Sequence, residues 1–548
     1  MKIKADKIFK NCKAYTMEAE GVCKEAIVVK DGKFAYVGTN EEALANYEAD
    51  EIIDVEGKTV LPGLGDSHMH FFAYCQTMTT VDLGTCKSKA EVLEKLRARA
   101  AETPEGEWIK GSNFDQSKWK DCEADEIPTR EFLDQVSTKH PIVIKRVCLH
   151  TAVANTLALE KANLGKGFVY GPGGLVELDE DGMPNGIMRE QSSKIFDDII
   201  PDPFLIPENK RKFMLKGLNQ AAQYGLTMMH TYAAEIWQYN EDINDYIEFM
   251  HNGELPLRMT VCLDYFFNRP FITKAEREDP ERLVQYGTFK IFCDGSLGSR
   301  SAKLYAPYND DPTTDGILVI SQEDLNERVY QGYKQGLQPA IHCIGDKGFG
   351  NVITAIEYAL KKTREEGMTE REQANRLPFR IIHAQMMTEE DTKRAEKLPL
   401  VLDVQPSFLL TDLHWIDERV GDRSYYSYNW KTLIERGFIL TGGSDCPVEI
   451  FSPWNGIFAM VTRQDLECWP EGGYHGEEKI DRFNAVLTFC KNVAIANGED
   501  DLMGTIEAGK FADMVIIDRD IFECPENEIK DIQALNTYLA GRETYKRA

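Results

Sequence analysis

The chain has 548 residues and a formal charge of −27 at pH 7. A field of that sign repels nucleic acid and anionic membranes, so general binders of either polyanion are excluded. Hydrophobic residues at 43% and charged ones at 28% are ordinary globular proportions, and the length suits about two to four folding units at roughly 150 residues each.

The opening segment, MKIKADKIFKNCKAYTM, places Lys and Asp where a signal peptide needs its apolar stretch. No later run approaches the roughly 18 apolar residues of a membrane helix. A cytoplasmic protein without membrane or nucleic-acid partners is expected. The 13 cysteines are scattered and include no CxxC pair, so they read as free thiols or small buried apolar residues and not as a disulfide scaffold or zinc ribbon.

Residues 1–60 alternate as short strands around tight turns: KIFKN, then EAIVVKDGKFAYVGT with an Asp31-Gly32 hairpin turn, then DEIIDVEGKTVLPG with Glu56-Gly57, together a β-meander. Two further strands are expected near the other end, at 514–517 and 535–539. The chain ends should therefore pair in one small β-sandwich domain, formed by residues 1–60 and 493–548. From about 61 to 492 the pattern changes to apolar strand-like runs followed by long helical stretches: GTFKIFCDGS, LQPAIHCIGD, PFRIIHAQM, LVLDVQPSF and GFILTGGSD. More than five such units favour a closed (β/α)8 TIM-like barrel, with an open doubly wound sheet as the alternative. The segment is longer than the about 250 residues of a typical barrel, so an inserted α/β subdomain is expected at about 87–202, where GFVYGPGGLVELDEDGMPNG reads as a hairpin.

Polar residues recur where those strands end. His68 and His70 in LPGLGDSHMH are spaced to point the same way from one strand and could grip one metal ion. Lys290 in TFKIFCDG, His342 in PAIHCIGD, His383 in FRIIHAQ and Asp445 in ILTGGSDCP each lie in or just after an apolar run. In a barrel the C-terminal strand ends converge, so these six would meet at the mouth. Taken singly, the histidines could be satisfied core residues, Lys290 a snorkelling surface lysine and Asp445 a helix cap.

With these segments in view, the chain resembles the amidohydrolase superfamily, in particular the large hydrolases typified by N-substituted formamide deformylases. The resemblance runs through VLPGLGDSHMH, GSNFDQSKW, CLHTAVANTLAL, FKIFCDGSLGSRSA, AIHCIGDKG, RIIHAQ, VQPSFL, GSDCPVE and GTIEAGKFADMVIID. Gly65 departs from it, standing where a bulkier apolar residue is usual. The resemblance implies two divalent cations, usually zinc, with His68, His70 and Asp445 on the first and His342 and His383 on the second. Lys290, carboxylated by carbon dioxide, would bridge them. It further implies hydrolysis of a small-molecule C–N bond by metal-bound hydroxide, with Asp445 moving the proton. Heterocycle deamination and a non-catalytic scaffold are the alternatives, and a homodimer is expected.

Weaker candidates for substrate binding are Asp115 and His150 in the insert, His230 at the end of LTMMH, and Arg300 in DGSLGSRSA. Each has a structural reading beside the functional one: loop hydrogen bonds for Asp115 and His150, packing beneath the metals for His230, an ion pair for Arg300. Phe71, Phe72, Tyr74 and Trp119 could line a pocket, although aromatics of this size more often fill a core.

Overall fold

The computed structural model describes residues 2–548 except 124–125, 147–149, 172, 198, 233–242 and 265–280. Two compact units result, Met1–Ala73 with Leu215–Ala548, and Tyr74–Met214.

The first unit is built on an eight-stranded parallel sheet in chain order: β1 (Leu64–Met69), β2 (Leu226–Tyr232), β3 (Arg258–Asp264), β4 (Val284–Phe292), β5 (Gln338–Cys343), β6 (Phe379–His383), β7 (Leu400–Val404) and β8 (Leu440–Gly442). The continuous apolar runs of the sequence follow from this placement, because strands covered on both faces have no solvent side to make polar. Across the remaining seam the Asp445 amide donates to the His68 carbonyl at 2.7 Å, and the His70 amide to the Cys446 carbonyl at 2.8 Å. The barrel is thus nearly closed, and the open doubly wound alternative is set aside.

Helices on the outside fix which face of each strand looks inward. The helix Gln322–Lys334 begins at Ser321, whose hydroxyl accepts from the Asp324 amide, a cap worth about 1 kcal/mol. It buries Leu325, Val329, Tyr330 and Tyr333, and its Gly332 sits so close to the Phe289 ring that a Cβ there would lie 2.1 Å from it. Phe289 therefore faces outward, and Lys290, next on the strand, faces the barrel interior.

The chain ends form two sheets in the same unit. One orders Lys33–Gly38, Ala26–Lys30, Ile3–Lys10 and Tyr47–Asp54, and the other Arg542–Lys546, Ala534–Leu539, Met514–Ile517, Thr59–Pro62, Lys13–Tyr15 and Cys23–Lys24. They share a core that includes Phe9, Ile27 and Val29 from the first and Val60, Met514, Ile516 and Tyr538 from the second. Asp31 and Gly32 both have positive φ and turn the expected hairpin. The meander reading fails at Glu56-Gly57. That pair does turn the chain, but Tyr47–Asp54 pairs in parallel with Ile3–Lys10, whereas Thr59–Pro62 joins the other sheet. Alternation alone cannot tell a hairpin from a crossing between two packed sheets. A buried pair, Arg258 with Asp513 at 2.7 Å, ties β3 to the segment before Met514–Ile517.

The second unit has a six-stranded sheet ordered Gly174–Leu178, Pro184–Glu190, Thr151–Ala154, Ile142–Arg146, Ile109–Phe114 and Thr80–Asp82. Its first two strands are the hairpin read from the sequence. Trp119 is buried in this unit's core, as Phe71 and Phe72 are in the first unit. Among the described residues, no helix is long and apolar enough to cross a membrane.

Candidate metal centre

The mouth of the barrel gathers the six residues. Asp445 Oδ1 lies 3.2 Å from both His68 Nε2 and His70 Nε2. Lys290 Nζ is 3.3 Å from His68 Nε2. The His383 ring stands edge-on to His68 at 5.4 Å between centroids and to His342 at 4.4 Å. Lys290 is 3% exposed, which removes the snorkelling alternative. Both His383 and Asp445 have left-handed backbones, φ +73° and +56°, conformations that cost non-glycine residues about 1–3 kcal/mol and gather at functional sites.

Hydrogen bonds decide which ring atoms carry protons. His70 Nδ1 meets the Tyr232 carbonyl at 2.8 Å, and a carbonyl only accepts, so Nδ1 holds the proton and Nε2 of the neutral ring is a bare lone pair. His342 Nε2 meets the Gly295 carbonyl at 3.1 Å, which leaves its Nδ1 unprotonated. His383 Nδ1 meets Gln405 Oε1 at 2.6 Å, which leaves its Nε2 unprotonated. Burial, reinforced by Lys290, holds His68 well below the usual imidazole range, and burial holds His383 at about 3. Burial also pushes Lys290 down to about 8, against the pull of Asp445.

This arrangement sets acceptor against acceptor. Burial alone raises the Asp445 carboxyl, yet the two imidazole contacts outweigh it and hold the group well below the carboxylate range. Burial disfavours a second proton on His68. Asp445 Oδ1 is buried without a hydrogen bond. His68, His70 and Asp445 offer ligand atoms that all lie within 4.8 Å of one another, and imidazole with carboxylate is a donor set suited to zinc. A divalent cation fits this donor set.

A polar layer missed by the sequence reading lies under these residues. Arg380, on β6, makes two bonds to Asp403, on β7, at 2.7 and 3.0 Å, and both side chains are fully buried. The same guanidinium donates to the Ser67 carbonyl at 2.8 Å and to His230 Nδ1 at 3.0 Å. Arginine cannot accept, so in the neutral His230 ring Nε2 carries the proton, 3.0 Å from the Asn497 side-chain amide, whose oxygen must face the ring to accept it. Both ring nitrogens of His230 are thus engaged inside the protein, beneath the six residues at the mouth. Arg380 and Asp403 were visible only as charges inside apolar runs, a pattern that signals a buried pair but not its position.

The remaining candidates fall elsewhere. Arg300, on the loop after β4, forks onto Asp310 at 2.9 and 3.1 Å. In the second unit Asp115 contacts Lys118 and Arg146, and the exposed His150 lies 3.0 Å from Glu190. Gly65 has a local cause, since a Cβ there would come 2.9 Å from Val493 and 3.3 Å from Met228.

Comparison with known proteins places this geometry. Over 547 residues the chain is 28% identical to the YtcJ protein of Bacillus subtilis (strain 168), covering 97% of this chain and 98% of that one. It is 25% identical to the N-substituted formamide deformylase of Arthrobacter pascens, covering 98% of each. An uncharacterized metal-dependent hydrolase from Pyrococcus horikoshii OT3 superposes with a TM-score of 0.70 at 26% identity, over 95% of this chain and 99% of that one. The Amidohydrolase family model matches residues 51–545, which takes in every barrel strand and all six residues at its mouth, and the chain belongs to that family.

Proposed function

We propose that this chain is a cytoplasmic metal-dependent hydrolase that cleaves the carbon–nitrogen bond of a small N-acyl or N-formyl amine, its metals seated in the barrel of a chain that also carries a terminal β-sandwich and an inserted subdomain. The observation that carries the reading is Asp445 Oδ1, 3.2 Å from the lone pair of His70 Nε2 and equally far from His68, a juxtaposition that calls for a cation. The similarity to a deformylase of N-substituted formamides supports the amide substrate.

A pair of divalent cations, when bound, supplies Lewis acidity for the carbonyl and a lowered pKa for water. His68, His70 and Asp445 would hold one, and His342 and His383 the other. Lys290 cannot ligate as an ammonium. Its pKa of about 8 leaves an appreciable fraction neutral near pH 7, and that amine can add carbon dioxide, lose a proton and become a carbamate with two oxygens. Asp445, held ionised, is placed to take the proton of the attacking water and return it to the nitrogen as the C–N bond breaks.

The test is a panel of N-acyl and N-formyl amines incubated with metal-replete and metal-stripped protein, reading free amine. Release of amine and carboxylic acid, dependent on metal, is expected. Ammonia from heterocycles without amide cleavage would move the chain to the deaminases, and no turnover by fully loaded protein would leave a scaffold.

A further inference from the structure

The VQPSF segment that follows β7 reaches back to a ligand on the neighbouring strand. Gln405 is buried, and its Nε2 donates to the Asp403 carbonyl at 3.1 Å, which can only accept. That bond fixes the amide: the nitrogen faces Asp403, so Oε1 faces His383, where it meets Nδ1 at 2.6 Å. Three residues on, the Phe408 ring stacks over the same imidazole, 5.9 Å between centroids and 17° between planes. Pro406 begins the short 3₁₀ turn Pro406–Phe408 that separates the two side chains. His383 itself ends β6 with a left-handed backbone, φ +73°.

We propose that Gln405 and Phe408 are positioning residues that clamp His383, the amide selecting the tautomer with Nε2 free to ligate and the phenyl ring fixing the imidazole plane. This rests on the reading of His383 as a metal ligand. A ligating histidine commonly gives its second N–H to an oxygen acceptor, and loss of that partner costs about 10–100-fold in metal affinity. A glutamine can serve only if its amide is prevented from turning, because the flipped amide would present N–H to N–H. Asp403 supplies that restraint through its backbone, while its carboxylate is engaged by Arg380. The ligand is thereby tied to the polar layer beneath it.

The experiment compares zinc affinity, by competition with a chelating dye, in the parent, Gln405→Leu, Gln405→Glu, Phe408→Leu and His383→Ala. Gln405→Leu should bind the weaker zinc equivalent about 10–100-fold less tightly. Gln405→Glu keeps an acceptor for Nδ1 and should restore most of that loss, and Phe408→Leu should show a smaller one. In metal-free protein labelled with 15N-histidine, the His383 ring should read as the Nδ1–H tautomer in the parent and lose that signature in Gln405→Leu, which a role in packing alone would not produce. Parental affinity in Gln405→Leu, alongside weak binding in His383→Ala, would overturn the clamp alone, as would an Nε2–H ring in the parent. Parental affinity in His383→Ala would overturn the ligand reading and the clamp with it.

Discussion

Gly443 lies directly against β1 at His68: a Cβ on Gly443 would stand 2.7 Å from the His68 amide nitrogen and 3.0 Å from its carbonyl oxygen. The obstacle is backbone, which cannot swing away as a side chain can. The end of β8 therefore approaches β1 closely only because this residue has no side chain, and Asp445 reaches the His68 carbonyl through that approach. Gly443→Ala should cost about 1–3 kcal/mol of stability, as overpacking does, and should weaken metal binding beyond what the stability loss explains. Denaturant unfolding of metal-free protein and a zinc titration of the folded protein separate the two effects.

Asp445→Asn should keep most of the bound metal and lower kcat by about 100- to 10,000-fold, because an amide can still ligate weakly but cannot carry a proton. Unchanged turnover at matched metal content would show that another group moves it.

The buried pair beneath the site gives a stability prediction. Asp403→Leu strands the Arg380 guanidinium without its counter-charge and should destabilise the chain by about 3–5 kcal/mol. The double variant Arg380→Met with Asp403→Leu removes both charges and should recover most of that. Denaturation midpoints of the single and double variants decide it; a double variant as unstable as Asp403→Leu would show that the bonds to Ser67 and His230 matter more than the ion pair.

Lys290→Ala should lose the bridged pair of metals and the activity, a small carboxylic acid in the buffer should restore a little of both, and Lys290→Arg should restore nothing, since a guanidinium stays protonated. Metal content and turnover with and without added acid are the readouts.

The strand-and-helix alternation from residue 284 onward was legible because a parallel barrel buries both faces of each strand; Lys290, His342, His383 and Asp445 stood out in or just after apolar runs, and His68 and His70 by their spacing. Lys290 and His342 illustrate this, each flanked by apolar neighbours on its strand. What supports these six residues was not legible in the same way. The Tyr232 and Gly295 carbonyls that set two tautomers are backbone atoms, which leave no mark on residue identity. Gln405 stood in a segment whose resemblance was evident, but its partner lies 22 residues away on another strand, and only the register of β6 against β7 brings them together. The crossing at Glu56-Gly57 was misread for the same reason, since the choice of sheet is a tertiary decision.

Elemental analysis of protein purified without chelator, reconstituted with zinc and bicarbonate and then desalted, tests the central claim most directly. Six ligand-type residues exceed the four that one tetrahedral zinc needs, so about two metals per chain are expected. A value near zero would contradict the site, and a stable value near one would contradict the bridging role of Lys290.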